Sequence, residues 1–230
     1  MKKALLLVLC AALAQAWAQS ALVVTVEPGP AYSHKAKFGL VSLTVTPQTA
    51  IWIEAADGSF VDTIFVTARA ARSSWFGGAK VRRPEALPLW SHARGIAAAD
   101  GLYMPDRSHP LSDGISGATP KAAFAKTWRI PPSLPPGKYR VRVELNSSFD
   151  WNEAYPEKLP RSDPRWSEFN GQPSILWEAL IEVGAAASKA ALAPIGTGSL
   201  RGESGALTLG LAGITSAREL AASISAEFRP

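Results

Sequence analysis

The sequence predicts an all-β protein: an Ig-like antiparallel β-sandwich with a long irregular insertion and a short C-terminal helix. Three observations carry that expectation. The 18 prolines and 18 glycines punctuate short apolar runs, so the elements are short and joined by turns. In "GKYRVRVELN", Tyr139, Val141, Val143 and Leu145 alternate with Lys138, Arg140, Arg142 and Glu144; period two with one apolar face is a half-buried strand. Asp57-Gly58 stands between two β-rich runs, a strong hairpin signal because a tight two-residue turn needs positive φ.

The elements follow in order. "ALVVTVE" at 21–27 reads as a first strand and "FGLVSLTVT" at 38–46 as a second. The hairpin strands fall at 49–55 and 59–67. Residues 68–123 break the strand rhythm and read as an insertion ordered against the sandwich by Trp75 and Trp90; "EALPLWSHARGIAAA" has room for a short helix. "AFAKTWRI" is a strand. The four prolines of "IPPSLPPG" make a stiff connector into "GKYRVRVELN", with Arg140 and Arg142 expected in solvent. "SILWEALIEVG" is the next strand, with Glu178 and Glu182 on one face. Residues 185–205 are rich in Ala, Gly and Ser and read as irregular, and "ALTLGLAG" reads as a strand. "SARELAASISAEF" opens with a capping-box pattern from Ser216 to Glu219 and then alternates. It predicts one or two helical turns followed by an edge strand.

Hydrophobic residues make up 47% of the chain and charged residues 19%, a globular balance. Residues 19–230 fit a single sandwich domain. Residues 1–18 read as a signal peptide: Lys2 and Lys3, then an apolar run from Ala4 to Leu13 too short for a comfortable membrane span, then Ala16-Trp17-Ala18 before the cut. A cut after Ala16 is the close alternative. The expected location is periplasmic or secreted. Cys10, the one cysteine, lies in that leader. The mature chain is thus left without disulfides, thiolate nucleophiles or cysteine metal ligands.

Several function classes find little support. The net charge is +5, about +3 without the leader lysines, and no nucleic-acid motif accompanies it. Arg69, Arg72, Lys80, Arg82, Arg83, Arg94 and Arg107 crowd one stretch, opposed by Glu85, Asp100 and Asp106. This reads as a solvated surface or as a site for an anion. His34, His92 and His109 lack metal-ligand spacing, and no Ser sits in a nucleophile elbow. In "NSSFDWNEAYP", Asp150, Asn152 and Glu153 are oxygen donors and weak calcium candidates, although Asp and Asn also favour turns. A non-enzymatic binding or accessory role is the first expectation.

The run "TAIWIEAADGSFVDTIFVT" resembles the start of a family of predicted periplasmic proteins of unknown function, marked by Ile51-Trp52-Ile53-Glu54, Gly58 and Thr63. "RRPEALPLWSHARG", "PPGKYRVRVELNSSFDWNEAYP" and "NGQPSILWEALIEV" are similar to later parts of it. "LPPGKYRVRVEL" is also similar to the Ig-like domain of the flagellar hook-assembly scaffold, which implies fold alone.

"DGISGAT" resembles the acceptor motif for covalent FMN in exported redox proteins, such as the flavin-carrying C subunit of the sodium-pumping NADH–quinone reductase. The resemblance matches Asp113, Ser116, Gly117, Ala118 and Thr119. It implies Thr119 as acceptor of a phosphoester, with a flavin transferase and a membrane electron-transfer protein as partners. Small neighbours keep the approach to the hydroxyl open. The stretch departs from the motif at Pro120, which stiffens the chain, and at Lys121, where many acceptors carry another hydroxyl.

Overall fold

The computed structural model describes residues 20–75, 81–112 and 115–230. The proposed signal peptide, Lys80 and Asp113 lie outside the described residues. The chain is an all-β sandwich of a four-stranded and a seven-stranded sheet, with a separate two-stranded hairpin.

The small sheet runs β10 (Ser188–Ala191), β13 (Ala221–Arg229), β1 (Ala21–Pro28), β7 (Phe124–Arg129). The large sheet runs β12 (Thr208–Leu209), β11 (Ala193–Thr197), β9 (Ile175–Val183), β8 (Gly137–Asn146), β4 (Gln48–Ala55), β5 (Phe60–Thr67), β6 (Ser116–Gly117). Neighbours are antiparallel except β5 and β6, which are parallel. Register follows the alternation in sequence. Ile51 opposes Val143 and Ile53 opposes Val141 across β4 and β8, and these four face β1 and β13. Leu22, Val24 and Val26 meet them from β1, and Ile224, Ala226 and Phe228 from β13.

Four local expectations are corrected. Residues 38–46 do not form one strand: Gly39 takes a positive φ of 59°, and the chain turns there between β2 (His34–Phe38) and β3 (Val41–Val45). Residues 185–205 are irregular only in part: 185–187 and 198–205 lie outside strands, but 188–191 and 193–197 do not. These supply β10 to one sheet and β11 to the other, and buried Leu192 makes the crossing with its N–H donated to Ile224 O at 2.9 Å. The "ALTLGLAG" strand shrinks to Thr208–Leu209. The C-terminal helical turn is a 3₁₀ turn over Ser216–Glu219 without a side-chain cap bond; β13 after it is an interior strand between β10 and β1, because its alternating face is needed at the centre of the core.

The outer face of the large sheet is solvated only in part: Lys138, Leu180 and Glu182 are exposed, while the rest is covered. The insertion covers it with helix α1 (Ala68–Ala71), a 3₁₀ turn over Pro84–Ala86 and helix α2 (Pro88–Ala93). A second apolar cluster joins Ala50, Trp52, Val66 and Leu176 of the sheet to Trp75, Leu87, Leu89 and Trp90 of the insertion. The large sheet is therefore the middle of three layers. Covering an outward face is costly wherever strand alternation has put charges there, unless each finds partners.

Those partners exist. Glu144, fully buried, accepts the N–H groups of Leu89 at 3.2 Å and Trp90 at 2.8 Å and the Ser174 hydroxyl at 2.6 Å. Pro88 opens α2, so the free N–H groups of its first turn begin at Leu89, and Glu144 satisfies them from β8. Arg140 and Arg142 are not in open solvent as the alternation suggested. Arg142 pairs with Glu54 at 3.0 Å and Glu178 at 2.7 Å, and Arg140 with Glu178 at 3.3 Å. Glu54 is itself buried and also accepts the Trp52 indole N–H at 2.7 Å.

Candidate functional site

Four cations of the basic run, Arg82, Arg83, Arg94 and Arg107, are engaged within the protein; Arg69 is exposed and Lys80 lies outside the described residues. Buried Arg83 pairs with Glu85 at 2.8 Å and donates to Asn170 Oδ1 at 3.2 Å. Arg82 pairs with Asp100 at 3.0 Å, Arg94 lies over Trp90, and Arg107 donates to Ser73 O at 3.2 Å. These cations hold the insertion together.

The calcium candidates also do structural service. Asp150 Oδ1 accepts the N–H groups of Gly171 at 3.2 Å and Gln172 at 3.0 Å. Asn152 accepts from Tyr155 N–H at 2.8 Å and donates to Gly213 O at 2.9 Å. Glu153 is exposed. Burial pushes the Asp150 carboxyl up to about 6, against the pull of the backbone donors. Among the described residues no three His, Cys, Asp or Glu side chains gather to hold a metal ion. The three histidines stay apart: His92 stacks on Tyr103 at 4.4 Å, His109 sits beside Asp106, and His34 lies next to Ser147.

Residues 115–119 of the "DGISGAT" stretch sit at the edge of the sandwich. Val66 N–H donates to Ile115 O at 2.9 Å, and Ser116 and Gly117 pair with Val66 and Thr67 as β6. Past Gly117 the chain leaves the large sheet and crosses as an irregular segment to β7, the edge of the small sheet. Thr119 lies in that crossing. It is fastened on both sides: β6 holds one end, and the Tyr32 hydroxyl donates to Pro120 O at 3.0 Å on the other. Tyr32 is buried, and desolvation lifts its phenol to about 12, so it stays a neutral donor.

Within this frame Ala118 is exposed and Thr119 half-buried. Thr119 makes no hydrogen bond among the described residues. The Ser116 hydroxyl is buried and likewise has no partner there. Gly117 lies against the Phe65 ring: a Cβ at this position would stand 3.1 Å from Phe65 Cε2. A side chain at 117 fits only if that ring gives way by a few tenths of an ångström, which favours glycine at this one position.

Sequence reasoning missed the ring's other neighbour. Lys126 Nζ lies 4.0 Å from the Phe65 centroid. Lys126 falls in the register of Phe124 and Trp128 on β7, the inward set, and it has no carboxylate within ion-pair distance among the described residues. Partial burial lowers its pKa. The signal was present, since a lysine stands between two aromatics in strand alternation in "AFAKTWRI".

A second feature is an open groove of about 590 Å³ at the β2–β3 hairpin, walled by Phe149, Trp151 and Trp166 with Lys35 and Lys37. Its buried hydroxyl, Ser167, accepts the Asn170 N–H at 3.0 Å, and its carboxylates, Glu157 and Glu168, are exposed.

Fold and site together define an all-β sandwich with a half-buried threonine on an edge crossing and a partly desolvated lysine on the neighbouring edge strand. No protein-family model, curated protein or solved structure matches the chain. Among the described residues no helix is long and apolar enough to cross a membrane.

Proposed function

We propose that this chain is an exported, non-enzymatic β-sandwich that carries FMN on Thr119 for electron transfer outside the cytoplasm. The observation that carries the reading is the state of Thr119: half-exposed, without a hydrogen bond among the described residues, on a crossing segment pinned by β6 and by Tyr32. A threonine in an ordinary turn ahead of a strand commonly spends its hydroxyl on nearby backbone. This one is left available. Asp113, Ser116, Gly117 and Ala118 supply the rest of the acceptor stretch, and the contact of Gly117 with Phe65 explains one of its small residues.

The attachment balances as a phosphoryl transfer from a flavin dinucleotide. Thr119 Oγ1 forms a bond to the FMN-side phosphorus, the pyrophosphate P–O bond breaks, AMP leaves with that electron pair, and the hydroxyl gives up its proton. A bound flavin supplies reversible uptake of electrons; the protein supplies a fixed tether. A flavin transferase and a membrane electron-transfer protein are the partners this role requires.

Coexpression with a flavin transferase tests the reading. The intact mass of the mature chain rises by one FMN less one water, and the colour survives denaturation. Thr119→Ala abolishes the adduct; Ser116→Ala keeps it. An unmodified chain beside a known acceptor that is modified in the same cells overturns the proposal and leaves a binding or accessory module without flavin. N-terminal sequencing of periplasmic material, with loss of the first 16 or 18 residues, tests export; Met1 retained on a cytoplasmic product refutes it.

A further inference from the structure

We infer that Lys126 is the cation that holds the phosphodiester joining FMN to Thr119, and that it receives the phosphates of the incoming dinucleotide before the bond forms. The inference rests on the flavin reading above and adds a residue that the acceptor motif does not contain.

Lys126 belongs to the inward-facing set of an edge strand. It pairs with Val24 across β1 and β7, and its neighbours in register are the half-buried Phe124 and the buried Trp128. A cation on this face gives up part of its hydration. The fold returns one contact, the face of Phe65 at 4.0 Å, a ring that attracts a cation only modestly. The carboxylate close by in the fold is already used: Asp62 accepts the Trp128 indole N–H at 2.8 Å and the Thr63 N–H at 2.8 Å. It makes no ion pair with Lys126.

Phe65 is what ties Lys126 to the acceptor. Gly117 rests on the same ring, and Thr119 follows Gly117 by two residues, so their Cα atoms lie at most about 7 Å apart. Lys126 and Gly117 thus meet one aromatic ring at the edge of the sandwich, and the acceptor hydroxyl follows Gly117 on the same segment. On this inference an anion built onto Thr119 reaches the ammonium across the edge of that ring. A phosphodiester is ionised at all ordinary pH, carries one negative charge, and offers oxygens for a charge-assisted hydrogen bond. Arg82, Arg83, Arg94 and Arg107 are engaged within the protein, Lys80 lies outside the described residues, Arg72 has interactions of its own, and Arg69 and Lys121 are exposed and keep their hydration.

An inward lysine on an edge strand has another ordinary use, to discourage pairing with a second sheet edge. The test separates the two roles. In ¹⁵N-labelled protein the Nζ resonance of Lys126 is titrated in two forms, the flavin-bearing chain and the Thr119→Ala chain, each verified by intact mass. A phosphodiester beside the ammonium raises its pKa by about one unit in the flavin-bearing form, as an opposite charge within 4–6 Å does. Equal values in the two forms overturn the inference while leaving attachment itself established. With limiting transferase, Lys126→Gln gains flavin several-fold more slowly than wild type and Lys126→Arg recovers most of that rate. A Lys126→Gln chain that stays folded and takes flavin at the wild-type rate also overturns it, and the edge-protection role is then read from its sedimentation. A wild-type chain with no adduct is seen in the mass spectrum first, and overturns the flavin reading and this inference together.

Discussion

Arg83 and Lys126 are both cations laid over aromatic rings, and they differ in everything else they touch. Arg83 lies under the insertion between Trp75 at 5.0 Å and Phe169 at 4.6 Å, and there Glu85 and Asn170 complete its shell. Lys126, at the sandwich edge, has Phe65 and no anion among the described residues. The carboxylates on the covered outer face of the large sheet are likewise supplied: Glu144 has three donors, and Glu54 has an indole and a guanidinium, although Arg140 Nε and Asn146 Oδ1 are buried there without a partner among the described residues. A desolvated charge whose shell is complete is explained by the fold. One whose shell is incomplete points to something the chain has yet to meet.

Substitutions that break the shells sharpen this contrast. Glu144→Ala strands the Leu89 and Trp90 N–H groups and the Ser174 hydroxyl in the interior, and should cost about 3–5 kcal/mol in denaturant unfolding. A loss below about 1 kcal/mol would mean the insertion is not anchored there. Leu145→Ala, on the opposite face of the same strand, opens a cavity between the sheets and should cost about 2–4 kcal/mol. Arg142→Ala leaves buried Glu54 with the Trp52 indole alone, and should cost about 1–3 kcal/mol, less than a fully buried pair because Arg142 is partly solvated. Lys126→Gln, by contrast, should move stability by no more than about 0.5 kcal/mol, because no ion pair is lost. A large loss there would make Lys126 structural and undo the comparison.

The pH dependence of stability gives a finer test. Burial pushes the Glu144 carboxyl up to about 7 even though three donors pull it down. A carboxyl raised in the folded state binds its proton more tightly there than in the unfolded chain. Its contribution is therefore full below the ordinary glutamate value, declines as pH rises toward about 7, and is flat above that. Asp150, raised to about 6, acts in the same direction over a lower window. Glu144→Gln should flatten the wild-type decline between about pH 4.5 and 7, leaving the part due to Asp150. Identical profiles in unfolding measurements would show that Glu144 does not titrate in that range.

The sequence by itself determined the fold class and most of the sandwich. Alternation in "GKYRVRVELN" set which residues of β8 face the core, since side chains on a strand point alternately to its two faces. Asp57-Gly58 set the β4–β5 hairpin, because Gly58 takes a φ of 90° that other residues resist. The sequence also marked Thr119 as the residue to ask about. Tertiary structure alone decided what lies over each face. Period two states that Arg142 and Glu144 point away from the core, and says nothing of whether water or an insertion waits there. It is α2, docked through Leu89 and Trp90, that turns an apparently solvent-facing Glu144 into a buried anchor. Strand order is equally invisible locally: nothing within 185–205 reveals that β10 and β11 belong to different sheets, or that β13 lies between β10 and β1. Lys126 is the same case at the site. Its place in the alternation is written in the chain, but its meeting with Phe65 joins residues far apart in sequence, and only packing the two sheets together brings the ammonium to that ring.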